Sequence, residues 1–258
     1  MGGVSWLAQC ALDFLIDERC HKCTAPLADA PMNGAAPSLA TPVTVFSLGA
    51  VKLTTRLLCE TCALEIKPWP GEVILPGQDA LSRVYPAFAT DERLLVLIHL
   101  LKFARRERIA PWLAHAMAPH LPDFSAPPGS HRVVIPVPMD RSSERRRGFN
   151  QAEEIAWPLA RHWGLRIERR ALVKVRHTKP QSTLGRRERL VNLECAFEAD
   201  ASRIRDADVI LVDDLVTTGA TVTACARALR AAQARSIFAV CAGYRDETPA
   251  EGGALPQS

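Results

Sequence analysis

Aromatic residues make up only 6% of this 258-residue chain, two of them tyrosines, so a surface that stacks successive nucleic-acid bases has little to be built from. No apolar run approaches the roughly 18 residues a membrane span needs. The stretch Val4 to Ile16 is apolar but carries Asp13, has no basic segment ahead of it and shows no small-residue cleavage site. It reads as a short amphipathic helix rather than a signal peptide, and cytoplasmic residence is the expectation. Without signs of secretion, the eight cysteines do not read as a disulfide framework. There is no internal repeat.

What is present is an ordinary globular composition, 48% hydrophobic and 23% charged, long enough for one sizeable core plus a small module. The net charge of +4 is unevenly spread. Residues Arg132 to Leu190 hold 15 Lys/Arg against 6 Asp/Glu, a net of +9 that leaves −5 for the remainder. One face of the folded protein is expected to be strongly basic.

Four cysteines fall into two Cys-x-x-Cys pairs, Cys20/Cys23 and Cys59/Cys62, separated by 35 residues. Two such knuckles around a β-rich excursion describe a zinc ribbon, in which four thiolates close a tetrahedral structural site. Cys225 and Cys241 lie on apolar faces and read as small core residues, as does Cys195, while Cys10 sits in the N-terminal apolar stretch. Between Lys67 and Asp91 four prolines suggest a connector. Leucines at helical spacing follow, capped by Thr90 or Asp91, and Pro111 is expected to start a second helix.

From His131 the pattern alternates between strand and helix. Strands are expected at Val133 to Val137, Leu172 to Val175, Val209 to Val212 and Ile237 to Ala242, with helices at Asn150 to Trp163 and Thr218 to Ala232 and a short strand at Cys195 to Phe197. Such alternation implies an α/β fold with a parallel sheet covered on both faces.

Three segments carry chemistry. In Val209 to Thr221, VILVDDLVTTGAT, Asp213 and Asp214 sit where an open α/β sheet places ligand groups, at the carboxyl end of a strand. Thr217, Thr218, Gly219, Ala220 and Thr221 then turn into a helix whose amino end favours a phosphate. Ionised aspartates only accept hydrogen bonds, which suits a ribose diol. The second segment, Ile135 to Ala156, reads as a basic loop between strand and helix in which Arg141, Arg145, Arg146 and Arg147 converge on one anion and Gly148 allows a tight turn. The third, Lys174 to Asn192, is polar and basic, with Gln181, Arg186, Arg187 and Arg189, and reads either as a mobile loop closing over a ligand or as a solvent-facing linker.

Val209 to Thr221 resembles the 5-phosphoribosyl 1-pyrophosphate (PRPP) motif of type I phosphoribosyltransferases over all its thirteen positions. The order IPVP, RRRGFNQA, a Gln181 segment with Arg189 and Asn192, and then that run resembles the ComF-type competence family, phosphoribosyltransferase-like proteins with an N-terminal zinc ribbon. Lys102, in LLKF, matches a basic position of that family. The resemblance implies a type I phosphoribosyltransferase-like parallel sheet flanked by helices, a PRPP site at Asp213 to Thr221, and a role linked to uptake or processing of single-stranded DNA. Many relatives carry two paired ribbons, whereas only one set of four paired cysteines is present here.

The expected organisation is an N-terminal helix and zinc-ribbon module over residues 1–70, an α/β domain over 88–245 and a flexible tail over 246–258. Two functions compete. One is transfer of a 5-phosphoribosyl group to a nitrogenous acceptor with release of pyrophosphate, Asp213 and Asp214 holding the ribose hydroxyls, the arginines stabilising pyrophosphate and Mg²⁺ arriving with the substrate phosphates. The other is a non-catalytic module that senses PRPP or a nucleotide and engages single-stranded DNA or a partner in DNA uptake through its basic face.

Overall fold

The structure is a computed structural model and describes residues 20, 22–24, 43–48, 51–55, 58, 60–75, 79–103, 109–175 and 196–245. Cys10, Cys59 and Cys195, the segment with Gln181, Arg186, Arg187 and Arg189, and the expected C-terminal tail lie outside them.

Between the two cysteine pairs the chain forms a hairpin of β1 (Val43–Leu48) and β2 (Val51–Thr55), followed by a short helix α1 (Glu60–Leu64) that carries Cys62. The centre of the molecule is a five-stranded parallel sheet in the order β3 (Arg83–Ala89), β9 (Ser236–Tyr244), β8 (Asp208–Val216), β4 (Arg132–Pro136), β5 (Arg166–Ile167). From β4 the chain crosses to β5 on one side, and from β8 it crosses to β9 on the other. The carboxyl ends of β4 and β8 therefore flank the switch point at which an open α/β sheet opens a crevice.

The sheet is buried on both faces, and the period of two along β8 shows how. Ile210 and Val212 face one core with Ile155 and Leu159 of α5 (Gln151–His162) and Leu113 of α3 (Ile109–Met117). Val209 and Leu211 face the other core with Val222, Cys225 and Leu229 of α7 (Ala220–Ala231). A strand with core on both sides reads as a continuous apolar run, which is how Val209 to Val212 appears in the sequence. Cys225 and Cys241 are fully buried, as expected of core cysteines.

Several elements depart from expectation. The Pro-rich segment 67–91 contributes β3, the outer strand of the parallel sheet, whose outward side is bridged only at Val84 and Phe88 among the described residues and so tolerates Pro86, a residue without an N–H, between them. Leu172–Lys174 (β6) stays outside the parallel sheet and pairs antiparallel with Phe197–Ala199 (β7), a separate two-stranded unit, while the two-residue β5 takes the sheet edge. Strand β8 continues past Val212 to Val216, paired with β9 throughout, so Asp213 and Asp214 lie within its last residues. The basic segment folds as a helix, α4 (Arg141–Arg147), because Asp140 accepts from Ser142 N and Gly148 ends it in the left-handed region at φ 90°. After β7, a short helix α6 (Ala201–Ile204) leads into β8. Asp91, rather than Thr90, caps α2 (Glu92–Phe103) by accepting from Arg93 N and Leu94 N.

Candidate functional site

The acidic pair sits at the end of β8 in an environment the two residues do not share equally. Asp214 is buried, with its side chain 4% exposed, and its Oδ2 lies 2.8 Å from Lys102 Nζ, the last-turn basic residue of α2. Asp213 is part-buried and its Oδ1 accepts from Asp214 N at 2.8 Å. Burial, followed by the neighbouring Asp214 charge, raises the Asp213 carboxyl well above its usual range, and Lys102 opposes the rise. Cys225 and Cys241 stand close enough to sense Asp213, and burial pushes both thiols well up, so they are neutral neighbours.

Immediately beyond, Thr217 to Thr221 turn into α7. Gly219 takes φ 74° as the residue before the helix, a conformation glycine reaches without penalty. The helix thus begins at Ala220, two residues later than its sequence pattern suggested. Asp213 and Leu215 to Val222 line a small cavity of about 40 Å³. Leu75 packs directly against Gly219: a Cβ there would fall inside van der Waals contact of Leu75 Cδ1 and 3.0 Å from Cδ2. Leu75 comes from the Pro-rich segment, held there by reciprocal backbone hydrogen bonds between Val73 and Val84. A leucine among prolines carries no local signal of such a role.

Across the switch point, the end of β4 opens a larger cleft of about 560 Å³. Met139, Asp140 and Arg141, which follow β4, line it together with Arg170, Val173 and Lys174. Burial works against ionisation of Asp140, but hydrogen bonds from Ser143 and Ser142 outweigh it and hold this capping carboxyl well below its usual range. The helical form of α4 disperses the arginines expected to converge: Arg141, Arg145 and Arg146 are exposed, while the part-buried Arg147 donates to Gln151 Oε1 at 2.9 Å and senses the Asp214 charge. Successive helical residues point about 100° apart, so Arg145, Arg146 and Arg147 leave the helix in different directions, while Arg141 and Arg145, four residues apart, share a face. Of the aromatic residues on and beside α5, Trp163 is buried in the first core, Phe149 is partly buried against that core, and Trp157 is half exposed.

At the opposite end of α2 the Sγ atoms of Cys20, Cys23 and Cys62 all lie within 4.8 Å of one another. Thiolates bound to one zinc at about 2.3 Å stand somewhat under 4 Å apart, so the three sulfurs fit a shared metal with little adjustment. Cys20 and Cys62 are buried and join the same core as α2. Ion pairs Lys22–Glu92 and Arg93–Glu65 fasten both knuckle segments to the start of that helix. None of the described helices is long and apolar enough to cross a membrane.

Comparison with known proteins agrees with this architecture. A family model described as phosphoribosyl transferase domain matches residues 145–251. DNA utilization protein YhgH of Salmonella typhimurium is 33% identical over 176 residues, covering 67% of this chain and 71% of the relative. YhgH of Escherichia coli (strain K12) is 32% identical over 204 residues, covering 73% and 85%. Competence protein ComFC of Bacillus subtilis is 37% identical over 102 residues, 40% of each chain. With a parallel sheet flanked by helices, a cysteine cluster at its amino-terminal side and relatives of these kinds, the chain belongs to the ComF-type family of phosphoribosyltransferase-like proteins.

Proposed function

We propose that the protein binds PRPP at the carboxyl ends of β4 and β8 and transfers its 5-phosphoribosyl group to a nitrogenous acceptor, in a process linked to DNA uptake. The observation that carries this reading is the juxtaposition, on one strand and the turn that follows it, of a lysine-paired acidic residue and a glycine-hinged threonine loop. Asp213 and Asp214 accept from the ribose hydroxyls. Thr217, Thr218 and Thr221 donate to the 5-phosphate, and Gly219 and Ala220 let the backbone approach it.

Transfer breaks the bond between C1 and the pyrophosphate oxygen and forms one from C1 to the acceptor nitrogen, which loses its proton. Arg147 and Arg141, the arginines facing the pair and the cleft, are the basic residues best placed to stabilise the departing pyrophosphate; Arg145, Arg146 and Gly148 supply the exposed rim and the turn of the same helix. Mg²⁺ carried on the substrate phosphates would offset their charge. Gln181, Arg186, Arg187 and Arg189 remain candidates for covering the ligand. The cysteine cluster, with Cys59 as fourth ligand, holds structural zinc within an N-terminal module of residues 1–70, ahead of the α/β domain of 88–245.

The test is to follow pyrophosphate release on incubation with PRPP, Mg²⁺ and a panel of nitrogenous bases, with PRPP binding measured in parallel by calorimetry. Asp213→Asn with Asp214→Asn is expected to abolish PRPP binding with little change in thermal unfolding; undiminished binding rejects the site. The exposed arginines of α4 favour one second reading, in which PRPP is bound without turnover and the basic face engages single-stranded DNA. Binding with no pyrophosphate release from any acceptor selects that reading.

A further inference from the structure

The matched domain begins at residue 145, yet the acidic pair draws its nearest cation from more than forty residues upstream. Lys102 reaches from the last turn of α2 to place Nζ 2.8 Å from Asp214 Oδ2, with 23% of its own side chain exposed. Among the described residues it is the cation within ion-pair distance of either carboxylate. Arg147 from α4 senses Asp214 without such a contact, Cys225 from α7 and Cys241 from β9 face Asp213 as buried thiols, and Lys174 from β6 lies toward Cys225.

Two carboxylates on consecutive residues of a strand repel each other, and burial disfavours the charge on each. A pair left alone shares a proton and presents neither a fixed charge nor a fixed acceptor. An ammonium locked against one member breaks that symmetry.

We propose that Lys102 is a positioning residue for the acidic pair: its ammonium holds Asp214 as an oriented carboxylate, so that a phosphosugar with a free diol meets one fixed acceptor. This rests on reading the pair as the ribose-hydroxyl site. The environment of Asp213 agrees, since burial and the charge of Asp214 push its carboxyl up, while the charge of Lys102 and the hydrogen bond from Asp214 N pull it down. The lysine is itself held in place from the far end of its helix. Glu92 and Arg93 in the first turn of α2 pair with Lys22 and Glu65 beside the cysteine cluster, about 15 Å along the axis from Lys102 at 1.5 Å per residue. The cysteine knuckle and the acidic pair thus share one rigid element. The pair depends on a helix that lies outside the matched domain.

The experiment titrates the carboxyl groups directly, by NMR of the full chain labelled with ¹³C at aspartate carboxyls, with Asp213→Asn and Asp214→Asn for assignment. No ligand is present. In Lys102→Met the midpoint of the pair is expected to move up by about one to three pH units, the range an adjacent opposite charge supplies. Lys102→Arg should restore it. Lys102→Gln, which keeps a donor but no charge, should behave as the Met variant; a Gln variant titrating like the original protein overturns the proposal, as does an unmoved midpoint in Lys102→Met.

A second arm measures binding of PRPP with Mg²⁺ by calorimetry across pH. The Lys102→Met defect should shrink as pH rises and the pair ionises without help. An equal loss at every pH would assign Lys102 a merely structural role and overturn the proposal. Failure of the unaltered protein to bind PRPP would instead reject the phosphosugar reading, with the carboxyl titration still deciding the role of Lys102.

Discussion

Replacing Gly219 by alanine tests the closest packing contact of the threonine loop. Two independent penalties arise. At φ 74° an L-residue in the left-handed region loses about 1–2 kcal/mol relative to glycine. The new methyl also meets Leu75, with Cδ2 at 3.0 Å and Cγ at 3.2 Å, so the whole isobutyl head must move rather than one terminal atom. Overpacking of this kind adds about 1–3 kcal/mol. The sum is about 3 kcal/mol, or roughly 6–12 °C in Tm for a chain of this size. Leu75→Ala alone should cost about 2–3 kcal/mol, since the side chain is 8% exposed within the second core. In the double variant the steric part disappears and the backbone part stays. Urea unfolding of the four proteins should therefore show a favourable coupling of about 1–2 kcal/mol. Strict additivity would refute the placement of Leu75 over the loop. Should PRPP bind as proposed, Gly219→Ala should weaken it while the double variant recovers part of the loss.

Asp208 is held down to about 2 by hydrogen bonds from Arg235 and Ser236, with added attraction from the charges of Arg235 and Arg132. Its folded value lies below the unfolded one, so its contribution is complete above about pH 5 and is lost as pH falls through 2; allowing for solvent screening, Asp208→Asn should lose about 1–2 kcal/mol at pH 7 and much less at pH 2. A variant equally destabilised at both pH values would contradict that reasoning. Zinc analysis of the purified chain should find about one metal per molecule, and Cys20→Ser or Cys62→Ser should release it and lower the thermal midpoint. Metal-free protein of undiminished stability would dismiss the cluster as a metal site. If the exposed face of α4 binds single-stranded DNA, exchanging Arg145 and Arg146 for glutamine should flatten the slope of log affinity against log salt by about 0.7 per lost phosphate contact, and an unchanged slope would exclude that face.

The parts of the fold that were legible in advance are those where local pattern and tertiary role agree. Val209 to Val212 is apolar at every position because the strand has core on both faces, and Asn150 begins a helix because its side chain accepts from Ala152 N while its amide donates to Val137 O. Where the two conflict, the reading failed. The run of arginines between a strand and a helix reads as a loop, but Asp140 at one end and Gly148 at the other stabilise seven helical residues, with Arg141, Arg145 and Arg146 exposed to water. Prolines hid β3, since proline opposes strand formation except at an edge, and nothing local marks an edge. The acidic pair and the threonine loop were visible because their chemistry lies within thirteen consecutive residues. Leu75 is joined to that loop through space alone.

The same distinction bears on which part of the chain constitutes the site. The domain match from residue 145 includes β8, α7 and β9 but none of β3, β4, α2 or the Leu75 segment. Three of these complete something the matched part cannot supply by itself: β4 provides the second strand of the switch point, Leu75 packs against Gly219 of the threonine loop, and α2 brings the cation that compensates Asp214. A buried carboxylate deprived of its partner is strongly destabilising, so the matched portion alone lacks the contact that compensates Asp214. The cysteine cluster, fastened to α2 by two ion pairs and sharing its core, consequently stands within the structural support of the acidic pair. If the cluster holds a metal and the pair a phosphosugar as proposed, removing the metal should displace Lys102 and thereby weaken ligand binding.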